Sequence, residues 1–425
     1  NKMSRRQQMV GYSFSHQFDD TFTVRQNLRY ADVHTLYRSV YGNGYTPTGK
    51  INRAYVRSDE HLNTFTVDTQ LQSDFATGVV GHTLLTGVDY SRMRNDVKAD
   101  YGTASAIDMQ NPQYGNPDVS VNFPYSVLNR MEQTGLYAQD QMAWDKWVMT
   151  LGGRYDYAMA STLTRPANTL AKNHDQQFTW RGGINYLFDN GISPYFSYSQ
   201  SFEPVSGSSR DGKPFDASHG EQYEAGVKYV PKDMPVVLTA AVYQLTKDKN
   251  LTADPNNSSF SIQTGEIRSR GIELEAKAAV NANVNVTASY TYTDAQYQHD
   301  TTFNGKRPAE VPRNMASLWA DYTFHETALS GLTVGAGARY VGSTVSYYKN
   351  DTSTGKKDDS FNVAGYALMD ATVKYDLARF GLPGSSIGVN VNNLFDREYV
   401  SSCYSEYACY WGAERQVVAT ATFRF

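Results

Sequence analysis

Long apolar runs are missing from this sequence. Across its 425 residues, no stretch reaches the roughly 18 consecutive apolar residues that a membrane-spanning helix needs. The mean hydropathy of -0.54 is also too polar for a bundle of such helices. A membrane β-strand needs only every second residue to be apolar, so this polar average does not exclude a β-barrel.

Several other features are scarce. A net charge of -4 and a pI of about 6.1 give no electrostatic argument for binding nucleic acid. The eight histidines are scattered without the spacing of a metal site, and only two cysteines occur, Cys403 and Cys409. The N-terminal residues 1–6 lack the apolar core of a signal peptide, so we expect any export signal to be already removed or to lie upstream.

Aromatic residues are abundant by contrast, with 32 Tyr, 19 Phe and 5 Trp. Soluble domains seldom carry so many tyrosines, whereas membrane β-barrels place them in girdles at both interfaces. Most of the tyrosines are therefore interpreted as girdle residues.

The last twelve residues, 414–425, alternate strictly. One face carries Val417, Ala419, Ala421, Phe423 and Phe425. The other carries Gln416, Thr420, Thr422 and Arg424, with Val418 as the apolar exception. A period of two predicts a β-strand with unlike surroundings on its two sides. This suits the closing strand of an outer-membrane barrel, but a strand of a soluble sandwich is the alternative that one segment leaves open.

The rest of the chain repeats the pattern, for example over 177–188, 196–199 and 387–392. Tight turns alternate along the chain with longer polar connections. The tight turns lie near 19–20, 77–81, 145–146, 189–191, 231–233, 280–282, 326–331 and 381–385. The longer connections lie near 41–50, 102–126, 162–174, 204–218, 250–258, 298–309, 343–360 and 401–411. This predicts an all-β fold, a transmembrane up-and-down antiparallel β-barrel, because Greek-key sandwiches do not alternate so regularly.

These connections imply about 17 strands, whereas bacterial single-chain barrels have even numbers. Both the first and the last strand run toward the tight-turn side, so we expect the chain to begin partway around a barrel. Each strand with its connection averages about 25 residues, against about 10 needed to cross the bilayer. The strands are therefore expected to project well beyond the membrane.

Six motifs resemble the TonB-dependent outer-membrane siderophore receptors. They are Tyr137-Ala-Gln-Asp-Gln141, Leu151-Gly-Gly-Arg-Tyr-Asp156, the segment 194–204 (PYFSYSQSFEP), Gln222-Tyr-Glu-Ala-Gly-Val-Lys-Tyr229, Arg270-Gly-Ile-Glu-Leu-Glu275 and Val391-Asn-Asn-Leu-Phe-Asp-Arg-Glu-Tyr399. The segment 391–425 is more specifically similar to the ferrichrome-type receptors of enteric bacteria. The resemblance extends over the whole chain.

The resemblance implies a barrel of about 22 strands around a plug domain. Residues 1–425 are then expected to be the C-terminal part of the barrel, with the plug and the first strands missing upstream. It also implies an outer-membrane receptor for ferric hydroxamate siderophores of the ferrichrome type, energised through TonB in the full-length protein. Another hydroxamate siderophore such as ferrioxamine is the alternative ligand.

No cofactor bound directly by the protein is expected, because iron arrives already wrapped in its siderophore. An outward-facing aromatic pocket suits such a compact complex. The expected partners are the ferric siderophore, the TonB complex through the missing N-terminal segment, outer-membrane lipid and lipopolysaccharide, with phage or colicin as further candidates.

An exported chain passes through an oxidising compartment, so we expect a Cys403–Cys409 disulfide rather than free thiols. It would hold a loop that presents four aromatics as ligand contacts or as girdle: Tyr404 first, then Tyr407, Tyr410 and Trp411. Tyr101, Tyr114, Phe123 and Tyr125 lie in or beside the longest loop. Phe123 and Tyr125 are candidate ligand contacts there, with packing of the loop as the alternative.

Charges within the predicted strands are interpreted as lumen-facing networks that touch the plug: Arg154, Arg181, Arg270, Glu273, Glu275 and Glu414. A lipid-facing charge would be unfavourable by about 2–4 kcal/mol at mid-bilayer. The charged run 351–359 is interpreted as a solvated loop tip. Asn393 and Phe395 are expected to shape a bend near the outer rim.

Two functions of other classes remain open. A barrel hydrolase would need a nucleophile or an acid–base set at one rim, and no Ser/His/Asp or paired-His arrangement with recognisable spacing is found. A passive porin would need a charged constriction loop, and no loop shows one clearly. We therefore expect a receptor rather than an enzyme.

Overall fold

The computed structural model describes every residue except 116, 166, 255–256, 264, 301–302, 327, 347–348, 351–356, 359–360, 406–407 and 425. Its secondary structure in that part of the chain is almost entirely β-strand, with a single 3-10 helix at Ala378–Phe380. No helix among the described residues has both the length and the apolarity to cross a membrane. The predicted all-β fold class is confirmed.

Seventeen strands belong to one sheet, as the count of connections predicts. They are β1 (Lys2–Gln17), β2 (Phe22–Tyr45), β3 (Lys50–Thr77), β4 (Val80–Asp108), β5 (Val119–Trp144), β6 (Trp147–Thr164), β7 (Thr169–Tyr186), β8 (Ile192–Glu203), β9 (Ser218–Tyr229), β10 (Val236–Asp248), β13 (Glu266–Ala279), β14 (Val284–Gln298), β15 (Asn314–Thr323), β16 (Leu332–Val341), β21 (Tyr366–Asp376), β22 (Ser386–Asn392) and β25 (Gln416–Thr422).

Eight shorter strands form four separate antiparallel pairs within the long connections. They are β11 (Leu251–Asp254) with β12 (Asn257–Gln263), β17 (Thr344–Val345) with β20 (Asn362–Val363), β18 (Lys349–Asn350) with β19 (Lys357–Asp358), and β23 (Val400–Ser405) with β24 (Ala408–Trp411).

The chain divides into two compact units. The first comprises Asn1–Ile184, Tyr198–Glu221 and Lys247–Glu266. In it, β1 to β6 pair consecutively and antiparallel. Strands β2 to β5 are 24, 28, 29 and 26 residues long, whereas about 10 residues cross a bilayer. These strands are therefore far longer than a bilayer crossing requires, as predicted.

The second unit comprises Asn185–Ser197, Gln222–Thr246 and Ile267–Phe425. Strands β14, β15, β16, β21, β22 and β25 pair in that order, each antiparallel to the next. In β25, Val417, Ala419 and Ala421 lie opposite Val391, Val389 and Ile387 of β22. The predicted apolar face of the last strand is therefore continuous with that of its neighbour. Phe425 lies outside the described residues.

Each unit has an apolar and a polar sheet face. In the first unit, we call the face that carries the paired Val67 and Tyr90 the apolar face, and the face that carries the paired Asp68 and Asp89 the polar face. Side chains alternate between the two faces along each strand. In an outer-membrane barrel, the apolar face contacts lipid and the polar face lines the lumen.

Three of the predicted long connections are shorter than expected. The strands continue to Tyr45, Asp108 and Thr164, so the connections shrink to 46–49, 109–118 and 165–168. Beyond the bilayer both faces of a strand meet water, so the apolar alternation fades and the sequence resembles a loop. The tight turns lie at the predicted positions between β1 and β2, β3 and β4, and β5 and β6.

Candidate functional site

An aromatic wall lies on the polar face of β4 and β5, near their outer ends. Tyr101 of β4 is directly opposite Phe123 of β5, and Ala99 is opposite Tyr125. The residues Tyr101, Phe123 and Tyr125 are 44%, 60% and 37% exposed, and Val127, further along β5 on the same face, is buried. Burial raises the pKa of the Tyr125 hydroxyl, and the nearby Tyr101 shifts it further in the same direction.

An ionic network lies on the same face, closer to the tight turns. Asp68, Asp89 and Asp156 come from β3, β4 and β6 in one cross-strand row. Arg154 donates to both oxygens of Asp89 and, through Nη2, to Asp156 at 2.6 Å. Tyr137 donates its hydroxyl to Asp68 at 2.7 Å. Every carboxylate of the row thus accepts a hydrogen bond, and a cavity of about 580 Å³ is lined in part by Asp68, Asp89 and Arg154.

Two glycines make this network possible. A Cβ added at Gly135 would lie 2.0 Å from Nη2 of Arg154, and one at Gly87 would lie 2.4 Å from the hydroxyl of Tyr137. Both long side chains therefore lie flat over a neighbouring strand, and Arg154 stacks over the Tyr137 ring at 5.7 Å. The prediction that Arg154 belongs to a polar network on the lumen-facing side agrees with this geometry.

In the second unit, the last long loop carries the disulfide. Cys403 and Cys409 are bonded at 2.05 Å and face each other across the β23–β24 pair. Cys403 is buried, and its carbonyl accepts a hydrogen bond from the Ser346 hydroxyl, so the hairpin is tied to the preceding loop.

The predicted ligand aromatics fall into separate groups. Phe123 and Tyr125 belong to the aromatic wall of the first unit, whereas Tyr410 and Trp411 lie on β24 of the second unit, 61% and 72% exposed. Tyr407 lies outside the described residues. The side chain of Tyr404 does too, although its backbone belongs to β23. Tyr101 joins the wall, and Tyr114 is strongly exposed in the connection between β4 and β5.

Asn393 shapes the start of the last long loop, as predicted. It has a φ of 52° and is buried. Its side chain donates to the carbonyls of Arg397 and Ala413 and accepts from the Arg397 N–H. Phe395 is 71% exposed beside this turn. The charged run 351–359 falls almost entirely outside the described residues.

Two of the strand charges differ from the prediction. Arg270 lies on the same face of β13 as Ile272 and Leu274, both well exposed, and opposite to Glu273 and Glu275. It donates to Gln244 at 2.7 Å, four residues from the first residue of the strand. Glu414 precedes β25 instead of lying within a strand.

A charged cluster covers the continuation of the apolar face above the aromatic belt of Tyr30, Phe65 and Tyr90. His34 Nε2 lies 2.9 Å from Asp59, and His61 Nε2 lies 2.8 Å from Asp32. The two imidazoles are directly opposite each other on β2 and β3. A cavity of about 350 Å³ is lined by His34, Asp59 and His61 together with Arg6, Asp96 and Lys98. We call this set the outer charge cluster.

Metal-ligating groups do not converge in the part of the chain that the structure describes. No set of three or more His, Cys, Asp or Glu side chains there has the geometry to hold an ion.

The long antiparallel strands, apolar on one face and polar on the other, with short turns at one end, define an outer-membrane β-barrel protein. A family model described as "TonB dependent receptor-like, beta-barrel" matches residues 1–394, and the chain belongs to this family. It is accordingly a protein of the bacterial outer membrane.

The chain is also similar to individual outer-membrane receptors. The chain is 56% identical to the ferrichrome outer membrane transporter/phage receptor of Escherichia coli K12 and 38% identical to the ferrioxamine B receptor of Salmonella typhimurium. Each alignment covers 100% of this chain and 59% of the relative, so the chain spans well under two thirds of their length. The solved structure of the siderophore receptor PiuA from Acinetobacter baumannii shares the fold, with a TM-score of 0.79 at 22% identity, over 99% of this chain and 64% of that one.

Sequence reasoning missed most of the ionic network and the outer charge cluster. Asp68, Asp89 and Asp156 are far apart in the chain, and only the strand register places them in one row. His34 and His61 are likewise separated in the chain, and only the register of β2 with β3 places them opposite each other. A linear motif does not report such a row, but a correct register for β2 to β6 would have revealed both sets.

Proposed function

We propose that this protein takes part in the uptake of ferric hydroxamate siderophores of the ferrichrome type across the outer membrane, energised through TonB. Its similarity to a ferrichrome transporter over the full chain is the observation that carries this proposal. Its relatives include receptors and transporters. The proposal therefore includes that this protein is a receptor without enzymatic activity.

The aromatic wall supports this proposal on chemical grounds. Tyr101, Phe123 and Tyr125 offer ring faces and hydroxyl groups to a compact complex whose iron is already fully coordinated. No protein ligand to iron is needed, because the siderophore oxygens fill the metal's coordination shell. Tyr410 and Trp411, and from the sequence Tyr404 and Tyr407, are proposed as further contacts from the last long loop.

The 425 residues are proposed to be the C-terminal part of the barrel of a longer receptor. The relatives' additional length supports this, since the chain aligns with only 59% of each. A plug domain, the first strands and a TonB-contacting segment would lie in the remaining part. Arg154 and its aspartates line the face that such a plug would contact.

The outer charge cluster supports lipopolysaccharide as a lipid partner. It lies directly above the aromatic belt, where phosphate groups of the outer leaflet are found. His34, His61 and Arg165 already bond the aspartates Asp59, Asp32 and Asp96. Arg6 and Lys98 share the cavity and give it cationic groups for a phosphate.

Two further partners follow from the relatives. The E. coli relative is named a phage receptor, and exposed loop residues such as Tyr114 are proposed as phage or colicin contacts. Ferrioxamine is the alternative siderophore, favoured by the 38% identity to a ferrioxamine B receptor.

Uptake of labelled ferric siderophores tests the proposal. The full-length protein is placed in a strain without hydroxamate uptake, with or without TonB, and is offered iron-loaded ferrichrome or ferrioxamine B. We expect TonB-dependent uptake of ferrichrome and slower uptake of ferrioxamine B. TonB-independent uptake or steady ion conductance would instead indicate a porin, and hydrolysis of lipid or peptide substrates would indicate an enzyme.

A further inference from the structure

The backbone that carries the aromatic wall is irregular. The pairing of β4 with β5 shifts between Tyr101 and Gly102, so that Asn122 of β5 has no partner residue. Pro124, two residues further, has no N–H with which to continue the ladder. Phe123 and Tyr125 therefore flank a residue that cannot donate to the ladder, and Phe123 is the last paired residue before the shift.

At Ser126, a single arginine joins three chain segments. Arg165, in the connection between β6 and β7, donates its backbone N–H to the Ser126 carbonyl at 3.0 Å. Its guanidinium donates to the Ser126 hydroxyl at 3.2 Å and to both oxygens of Asp96 on β4 at 2.6 Å. The arginine and aspartate side chains are only 32% and 22% exposed, which shields this bidentate pair from water.

Ser126 and Tyr125 point to opposite faces of β5. The arginine binds from the apolar side, where Asp96 and Ser126 lie, while the Tyr125 ring projects from the polar side. Fixing the backbone of Ser126 therefore fixes the direction of the ring that precedes it, without any contact between Arg165 and a ligand.

We propose that Arg165 is a positioning residue for ligand binding, which holds the aromatic wall in its binding orientation through Ser126 and Asp96. This inference rests on the proposed function. A wall that is ordered before the ligand arrives loses less conformational freedom on binding. Removing the Arg165 guanidinium, and with it the bidentate hydrogen bonds to Asp96, is expected to weaken ferric-siderophore binding roughly three- to tenfold. The main cause is expected to be faster dissociation.

The test uses the full-length protein and iron-loaded ferrichrome as the probe. Arg165→Gln removes the guanidinium group, and Arg165→Lys keeps the positive charge but cannot form the bidentate pair. Arg92→Gln is the matched control, because it removes the Arg92–Glu132 pair between the same two strands, far from Ser126. Two quantities are measured: the dissociation rate of the probe and the hydrogen exchange of backbone amides over 121–126.

We expect Arg165→Gln to speed both dissociation and exchange, Arg165→Lys to have a smaller effect, and Arg92→Gln to leave both unchanged. In the double variant with Tyr125→Ala, the loss of affinity is expected to be less than the product of the two single losses, because both act through one ring. A purely structural role for Arg165 predicts independent effects.

Unchanged dissociation in Arg165→Gln, or fully multiplicative losses in the double variant, would overturn the inference. If the wild-type protein binds no ferric hydroxamate, the proposed function fails instead. The exchange measurement separates the two cases, since unaltered exchange over 121–126 in Arg165→Gln rejects the positioning role whatever the ligand is.

Discussion

At the residue scale, two glycines leave the space on the polar face that two long side chains occupy. Gly87 and Gly135 leave room for Tyr137 and Arg154 to lie across the neighbouring strand, and so to reach aspartates on the strand beyond it. A side chain at either glycine would push the long side chain off its partner and leave a half-buried carboxylate without its donor.

Gly135→Ala is expected to lower the free energy of unfolding by about 1–3 kcal/mol, because the new methyl displaces Arg154 from Asp89 and Asp156. Gly81→Ala is the control, since its Cβ would meet only a carbonyl at 3.9 Å. Denaturant titration in detergent measures both. Equal stability of the two variants would mean that Arg154 finds other partners without loss.

Tyr125→Ala in the full-length protein is expected to weaken ferric-siderophore binding about ten- to a hundredfold, since a well-packed aromatic contact is lost. Tyr155→Ala is the control, because Tyr155 projects from the opposite face in register with Leu136. Ligand-induced fluorescence quenching gives the affinity. A wild-type affinity for Tyr125→Ala would assign the ring to loop packing.

A prediction for Tyr404 rests on the sequence alone, because it is the first aromatic residue after Cys403 in the disulfide-held loop. We expect Tyr404→Ala to weaken ferric-siderophore binding about ten- to a hundredfold, as for Tyr125→Ala, without unfolding the barrel. Unchanged affinity would assign Tyr404 to the girdle. Binding that survives while transport is lost would place it in the coupling of the barrel to the plug.

At the scale of elements, the outer connections depend on a few cross-links. The turn between β6 and β7 is held by Arg165 on Asp96 and Ser126, and the β23–β24 hairpin is held by its disulfide and by Ser346. Each cross-link acts on a short segment, so its loss is expected to change local order more than global stability.

The turn at 165–168 is expected to loosen at acid pH. The hydrogen bond from Arg165 holds the pKa of Asp96 below its usual value. The stabilisation is therefore complete above the unfolded pKa of about 4 and is lost as pH falls through the lower, folded value. Hydrogen exchange of the Asn168 amide, which donates to the Arg165 carbonyl, reports this loss. The exchange in Arg165→Gln, corrected for the intrinsic pH dependence, is expected to show no such transition.

Replacing Cys403 and Cys409 together by serine is expected to weaken siderophore binding while the unfolding midpoint of the barrel falls by only a few degrees. The bridge closes a short loop, with a sequence separation of 6, and such a loop restricts the unfolded chain by only about 2–3 kcal/mol. Calorimetry and a binding titration separate the two effects. A large fall in the midpoint would show that the hairpin supports the barrel itself.

The sequence predicted the strands inside the bilayer better than those outside it. Val417, Ala419 and Ala421 alternate because lipid and water lie on opposite sides, and the structure pairs them as expected. The outer halves of β2 to β5 meet water on both sides and carry no such signal. Their register therefore had to come from the structure, and with it the pairing of Tyr101 with Phe123.

At the scale of the whole molecule, the fold class, the strand number and the family were all predictable, because they rest on features repeated along the entire chain. The candidate site was predictable only in part. Phe123 and Tyr125 stand out as aromatics beside a long polar stretch, whereas Arg165 looks like an ordinary loop arginine until the strands are aligned.

The 425-residue chain on its own is expected neither to bind ferrichrome at full affinity nor to support its uptake, since part of the proposed pocket and the TonB coupling would lie in the additional length. Refolded protein in detergent and iron-limited cells expressing only this chain measure the two properties, beside the full-length protein. A fragment that binds as tightly as the full-length protein would contradict this division.

The great length of the first unit's strands has a further consequence for encounters at the cell surface. The 28 residues of β3 span about 90 Å along the strand, which a tilt of about 45° converts to roughly 65 Å of height. The hydrocarbon layer accounts for only about 30 Å of this. The strand ends are therefore expected to stand well clear of the hydrocarbon layer, so that a macromolecule could contact them without approaching the bilayer.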